Sequence, residues 1–280
     1  MLTRSLDAVR DVADAARRLR GLIDGRRTVV LTGAGISTDS GIPDYRGPDS
    51  PPRKPMTFQQ FIGDSDFRRH YWARNHVGWR HMDATAPNAG HRALARLERA
   101  GVVHAVITQN VDLLHTKAGS RNVIDLHGTY AQVVCLDCGH RLSRHTLAAR
   151  LEQANPRFAE LVAGGRAIEV APDADAVIAH TAHFRPVDCG ECGGVLKPDI
   201  VYFGESVPRD RVAAAFDLVE RAEALLVAGS SLTVMSGLRF VRRAAKLGIP
   251  IAIVNRGDTR GDELATLKID AGCSEVLEAL

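Results

Sequence analysis

Thr28-Val29-Val30-Leu31-Thr32-Gly33-Ala34-Gly35-Ile36-Ser37 is the stretch that decides the fold. Its first five residues form a short apolar run rich in β-branched side chains, the pattern of a strand buried on both faces. The run passes directly into a glycine-rich turn, where backbone amides can approach a pyrophosphate at the carboxyl end of a strand. A tight turn with no ligand fits the same three residues. Thr38 stands where a third fingerprint glycine would be, and no acidic residue ends an evident second strand further on. Both departures disfavour a hydride-transferring dehydrogenase.

Upstream, Leu6, Val9, Val12, Ala13, Ala16, Leu19, Leu22 and Ile23 recur at helical spacing, and Gly25 ends the element. Downstream the alternation returns. A helix over about 88–100 feeds a strand at 102–108, and a helix over about 111–118 precedes a strand at 122–126. Further on, a strand at 200–203, a helix over 209–222, a strand at 224–228, a helix over 237–247 and a strand at 249–254 are expected. Strands separated by helices predict an α/β fold, a parallel sheet covered on both faces, with ligands beyond the strands' carboxyl ends. Two stretches break the rhythm. The aromatic and arginine-rich residues 48–85 are expected to form a helical insertion, and residues 130–194, which hold four of the five cysteines, a zinc-binding one. Residues 1–47, 86–129 and 195–280 then compose a Rossmann-like domain, and the insertions a smaller one.

Composition narrows the partners. Thirty-six basic against thirty-three acidic residues leave a net charge of +3, too small a surplus to indicate nucleic acid or an anionic membrane. No apolar run approaches the roughly 20 residues that cross a bilayer. Asp7, Asp11 and Asp14 among the N-terminal arginines argue against a secretory leader, so a cytoplasmic location is expected.

Cys135-x-x-Cys138 and Cys189-x-x-Cys192 are each followed by glycine. Two thiolates on a tight turn take adjacent vertices of a tetrahedron, and a second turn completes the set, so the pairs predict one structural zinc with no open position. Two disulfides or buried free thiols are the alternatives. Cys273 stands apart, as small core residues do.

The turn at Gly33 keeps specific company: Gly41-Ile42-Pro43-Asp44-Tyr45-Arg46-Gly47, Thr108-Gln109-Asn110-Val111-Asp112-Leu113-Leu114-His115 and Leu126-His127-Gly128. Lys197-Pro198-Asp199-Ile200-Val201-Tyr202-Phe203-Gly204-Glu205, Gly229-Ser230-Ser231-Leu232 and Asn255-Arg256-Gly257 follow. In this order, with both cysteine pairs between the His-Gly and Lys-Pro-Asp segments, the chain resembles the sirtuin family over about residues 20–280. The His115–Ser120 segment and the long span between the cysteine pairs look most like its class II branch. Tyr45 replaces a frequent Phe, and Leu113 a frequent Gly.

The resemblance implies an NAD-dependent protein-lysine deacylase. NAD would be consumed, and its ADP-ribosyl carbon passed to the acyl oxygen of an acyl-lysine protein or peptide. Nicotinamide, deacylated lysine and O-acyl-ADP-ribose would leave. It further implies that Gly33, Ala34 and Gly35, with Ser37, cradle phosphate, and that Gly229, Ser230, Ser231, Asn255, Arg256 and Gly257 hold the adenosine side, with Cys273 near adenine. Ile42, Asp44, Tyr45, Arg46, Gln109, Asn110, Val111 and Asp112 match the nicotinamide and ribose contacts. His127 matches the base, with Asn110 and Asp112 beside it, and neutral imidazole suits that role near pH 7. The peptide is expected to lie extended between Gly204-Glu205-Ser206 and the Ser231–Ser236 loop, with its acyl-lysine passing Phe203 and Leu232. Protein mono-ADP-ribosylation and an NAD-sensing module with little turnover are the competing functions.

Tyr71 and Arg74 lie three residues apart, on one face of an expected helix. Sirtuins that prefer carboxylated acyl groups carry a Tyr-x-x-Arg pair in a comparable segment. The pair either reads a distal carboxylate by charge-assisted hydrogen bonds, or packs in the small domain as an ordinary tyrosine and ion-paired arginine.

Overall fold

The computed structural model describes residues 8–45, 55–163 and 181–280. Helix α1 (Val12–Ile23), capped by the Asp11 carboxylate, leads into strand β1 (Thr28–Thr32). Then come α2 (Phe58–Gly63), α3 (Ser65–Ala84), α4 (Ala89–Arg99), β2 (Val103–Thr108), the single turn α5 (Leu114–Lys117) and β3 (Val123–Asp125). Next are β4 (Gly128–Cys135), β5 (Arg141–Ser143), α6 (Arg144–Ala154), α7 (Phe158–Ala163) and β6 (Leu196–Ile200). The chain closes with α8 (Arg209–Glu220), β7 (Ala224–Ala228), α9 (Met235–Leu247), β8 (Ile251–Val254), β9 (Leu267–Ile269) and α10 (Cys273–Glu278).

Six strands form one parallel sheet in the order β3-β2-β1-β7-β8-β9. The strand order reverses beside β1 and β7, and a crevice opens there because successive crossovers run to opposite sides. Strand alternation builds two cores. Val30, Val106, Leu226 and Val254 pack with α1, α4 and α10, whereas Val29, Leu31, Ile107, Val227 and Ile253 pack with α8 and α9. Both faces are therefore dry, as the uninterrupted apolar strands require.

A second sheet, β5-β4-β6, is antiparallel. Its core mixes both insertions: Phe61, Tyr71 and Trp72 from the helical stretch meet Val133, Leu147 and Phe184 from the cysteine-bearing one. The two interruptions read separately along the chain thus share one hydrophobic interior. No helix among the described residues is long and apolar enough to cross a membrane.

Three elements differ from the expected ones. The strand expected at 200–203 lies at Leu196–Ile200 and belongs to the small sheet, while Tyr202–Glu205 forms a turn. The helix expected over 111–118 shrinks to Leu114–Lys117, because Leu113 takes a left-handed φ of 61° that no helix continues. That conformation also explains why glycine suits position 113. Strand β9, Leu267–Ile269, is an addition to the expected elements, because three residues are too few to show a period.

Candidate functional site

Both glycine turns stand side by side at the strand reversal. Gly33 follows β1 and Gly229 follows β7, and the Gly35 amide donates to the Gly229 carbonyl at 2.8 Å. Gly229 has φ of +67°, and a Cβ there would lie 2.2 Å from the Ile36 nitrogen. A Cβ on Gly33 would lie 2.8 Å from the Gly229 oxygen. The glycines therefore let two turns interlock, a demand that one strand and its turn cannot reveal.

The cleft beyond these turns has a volume of about 1130 Å³. That is slightly larger than the usual small-molecule site of up to about 1,000 Å³ and suits an extended dinucleotide with a side chain beside it. Gly33, Ala34, Gly35, Ser37, Ile42, Asp44 and Tyr45 line one part of it. Gln109, Asn110, Val111, Asp112 and His127 form the centre. Gly229, Ser230, Ser231, Asn255, Arg256 and Cys273, with Phe203, Gly204, Glu205 and Leu232, also line the cleft. Gly257 falls behind this lining, where its amide donates to Asp270 at 2.8 Å. Arg46 lies outside the described residues.

The centre is tightly hydrogen-bonded. His127 Nδ1 meets the Gln109 carbonyl at 2.8 Å, and since a carbonyl only accepts, the ring proton sits on Nδ1. Nε2 is left as the acceptor and receives the Ser236 hydroxyl at 2.8 Å. Burial chiefly lowers the His127 pKa, so the ring is neutral near pH 7, while the Gln109 bond opposes the shift. Ser37 donates to Asp112 Oδ2 at 2.7 Å and receives Asn110 Nδ2 at 3.1 Å. Asp112 Oδ1 accepts the Leu114 amide at 2.9 Å. Burial raises the Asp112 pKa, and these bonds pull against it. Asn110 also donates to the Gly33 carbonyl at 3.0 Å, tying the β2 loop to the β1 turn.

Gly128 allows the next strand to pass. At φ of +81° it lies so close that a Cβ would sit 1.9 Å from the Asp199 carbonyl. The Val201 amide donates to the His127 carbonyl at 2.7 Å. The Lys-Pro-Asp segment thus buttresses the histidine from behind. Ser236 was missed as a partner of His127, and no local pattern marks a contact across 109 positions of sequence.

Cys273 is buried with its thiol against the Val254 carbonyl at 3.6 Å, and burial pushes its pKa up to about 12. A thiol held neutral in this way is packing at the cleft's edge, not a nucleophile. Tyr71 and Arg74 are not brought to the cleft lining. Tyr71 is 1% exposed in an aromatic cluster with Phe61, Trp72 and Tyr202, and Arg74 Nη1 meets His70 Nε2 at 3.2 Å. Helical spacing gives them a common side of α3, and from it Tyr71 enters the core of the small domain.

The four cysteine sulfurs of the small domain lie within 4.8 Å of one another. Cys135 and Cys192 are 3.6 Å apart and Cys138 and Cys189 3.8 Å, far beyond a disulfide bond, and all four are free thiols. Thiolates about 2.3 Å from a tetrahedral zinc would be about 3.8 Å apart, so the donor set fits one zinc ion.

Known proteins resemble this chain over most of its length. Residues 33–236 match the model of the Sir2 family. The chain is 71% identical over 262 residues to NAD-dependent protein deacetylase 1 of Mycobacterium avium, covering 94% of this chain and 93% of that protein. It is 47% identical over 277 residues to NAD-dependent protein deacylase Sirt4 of Drosophila melanogaster, covering 96% and 87%. A solved structure of Sir2 with a p53 peptide and NAD+ superposes with a TM-score of 0.68 at 32% identity, over 93% of this chain and 95% of that one.

Proposed function

The chain belongs to the Sir2 family, and from that premise we propose how its own residues carry out NAD-dependent protein-lysine deacylation. The reaction breaks the bond between nicotinamide and ribose, joins the ribose carbon to the acyl oxygen, and moves the acyl carbon to a ribose hydroxyl, after which one water adds to that carbon as its bond to the lysine nitrogen breaks and the free amine leaves. The observation that carries the assignment of roles is the oriented His127 ring. With Nδ1–H fixed on the Gln109 carbonyl, Nε2 faces the cleft as a proton acceptor, and the Ser236 hydroxyl occupies that position until a substrate hydroxyl replaces it.

Asn110 and Asp112, held by Ser37, position the nicotinamide and its ribose. The interlocked turns at Gly33–Gly35 and Gly229–Ser230 receive the phosphates, and Asn255, Arg256 and Cys273 border the adenosine end. The acyl-lysine enters between Phe203 and Leu232, near Tyr45, whose ring meets Phe203 edge-on at 5.9 Å. None of the four cysteines lines the cleft, so a zinc ion among them would take no part in this chemistry. It would be held by Cys135, Cys138, Cys189 and Cys192, joining the turn after β4 to the one before β6 as a structural cross-link. Cysteine pairs grouped for a zinc ion favour a reducing compartment, consistent with the cytoplasm.

Nicotinamide release measured with and without a panel of acylated peptides tests the proposal. Release that depends on acyl-lysine, with O-acyl-ADP-ribose formed in equal amount, is expected. Nicotinamide release with ADP-ribose transferred to a protein side chain, and no acyl group lost, would favour ADP-ribosylation instead.

A further inference from the structure

Lys197 sits on β6 beneath the wall that carries Phe203, Gly204 and Glu205, and its side chain is only 4% exposed. An ammonium group has three protons to donate, and burying it unsatisfied is costly. Here it has three oxygen partners: Glu205 Oε2 at 3.2 Å, the Pro198 carbonyl at 3.2 Å and the Ile200 carbonyl. The Tyr202 ring lies 4.9 Å away, close enough for a cation–π contact. Glu205 in turn accepts the Tyr202 amide at 2.8 Å, and the Glu205 amide donates to the Tyr202 carbonyl at 3.0 Å. The carboxylate is therefore engaged beneath the turn. On the outer side, the Phe58 amide donates to the Phe203 carbonyl and Gln59 to the Gly204 carbonyl.

We infer that Lys197 is a positioning residue for the acylated peptide: through Glu205 it holds the Tyr202–Glu205 turn in the shape that receives the substrate. The inference rests on the deacylase reading above. It makes Glu205 a tether of the turn, not a reader of charge on the peptide. Lys197 touches none of the residues assigned to NAD, so its loss separates the two substrates.

The test measures KM for an acetyl-lysine peptide and for NAD, with kcat, in wild type, K197M, E205Q and K197M/E205Q. K197M is expected to raise the peptide KM at least tenfold and leave the NAD KM within twofold. E205Q, whose amide oxygen can still accept both donors, is expected to do less. The double variant is expected to be no worse than K197M, because residues acting as one unit are not additive. If K197M fails to fold, the double variant, which leaves no buried charge unpaired, carries the same comparison: a raised peptide KM with an unmoved NAD KM. A peptide KM unchanged by removing Lys197, equal changes in both KM values, or additive effects would overturn the inference. Wild-type protein that deacylates no acyl-lysine peptide would instead overturn the reading on which it rests.

Discussion

The His127 imidazole donates from Nδ1 to the backbone carbonyl of Gln109 at 2.8 Å, so the tautomer that leaves Nε2 basic is set by the main chain of the neighbouring loop. A side-chain partner could swing away, but this carbonyl shares its peptide group with the Asn110 amide, which donates to Thr108 Oγ1 at 3.1 Å. His127→Ala is expected to keep the fold and NAD binding and to lower deacylation by roughly 10²-fold to 10⁴-fold, the range for loss of a general base. Peptide turnover beside NAD titration checks this. Near wild-type turnover would remove His127 from the reaction.

The same histidine sets a pH dependence. Burial lowers its pKa below the ordinary 6.5, and the base must be neutral to act. Deacylation is therefore expected to persist to slightly acidic pH and to fall only as the ring protonates below the ordinary histidine range. A profile of kcat/KM against pH, with an acidic limb at or above about 7 assigned to His127, would contradict the buried environment.

Stability should also fall on the acid side. His76 and His91 are both pushed down to about 4, chiefly by burial. Because the unfolded chain takes up these protons near pH 6.5 and the folded one only near 4, their contribution is intact above about 6.5 and is lost progressively between those values. Thermal unfolding across that window is expected to show a declining Tm, and His91→Gln to flatten the decline. A Tm that does not change from pH 7 to 4.5 would contradict this.

Removing zinc is expected to unfold the small domain first. Cys135→Ala leaves three thiolates, and metal binding and folding are coupled at such sites. Metal analysis should find one zinc per chain in the wild type and little in the variant, with the variant's far-UV signal and melting reduced. Purified, active protein without zinc would refute the assignment.

Arg74→Met is expected to change activity on acetyl-lysine and succinyl-lysine peptides by the same factor, because Arg74 contacts His70 and Tyr71 lies in the aromatic core. A loss confined to succinyl-lysine would return the pair to substrate recognition. Charge-assisted hydrogen bonds of about 1.5 to 3 kcal/mol make such a selective loss easy to see, at roughly tenfold to a hundredfold.

The sequence by itself determined the alternation of helices and dry strands, the turns after β1 and β7, and the two cysteine pairs, because each is a local pattern of burial or backbone conformation. Strand alternation shows as apolar runs, and a turn needing φ above zero shows as glycine. Only the tertiary structure decided which groups meet. Ser236 reaches His127 across the cleft, Gly229 interlocks with Gly35, and both insertions fold into one core. It also buried Tyr71 in an aromatic cluster, and it moved Leu196–Ile200 out of the large sheet into the small one. Spacing along a helix or strand fixes which side chains share a face, but the partner of that face is chosen by long-range packing, which has no period in the sequence.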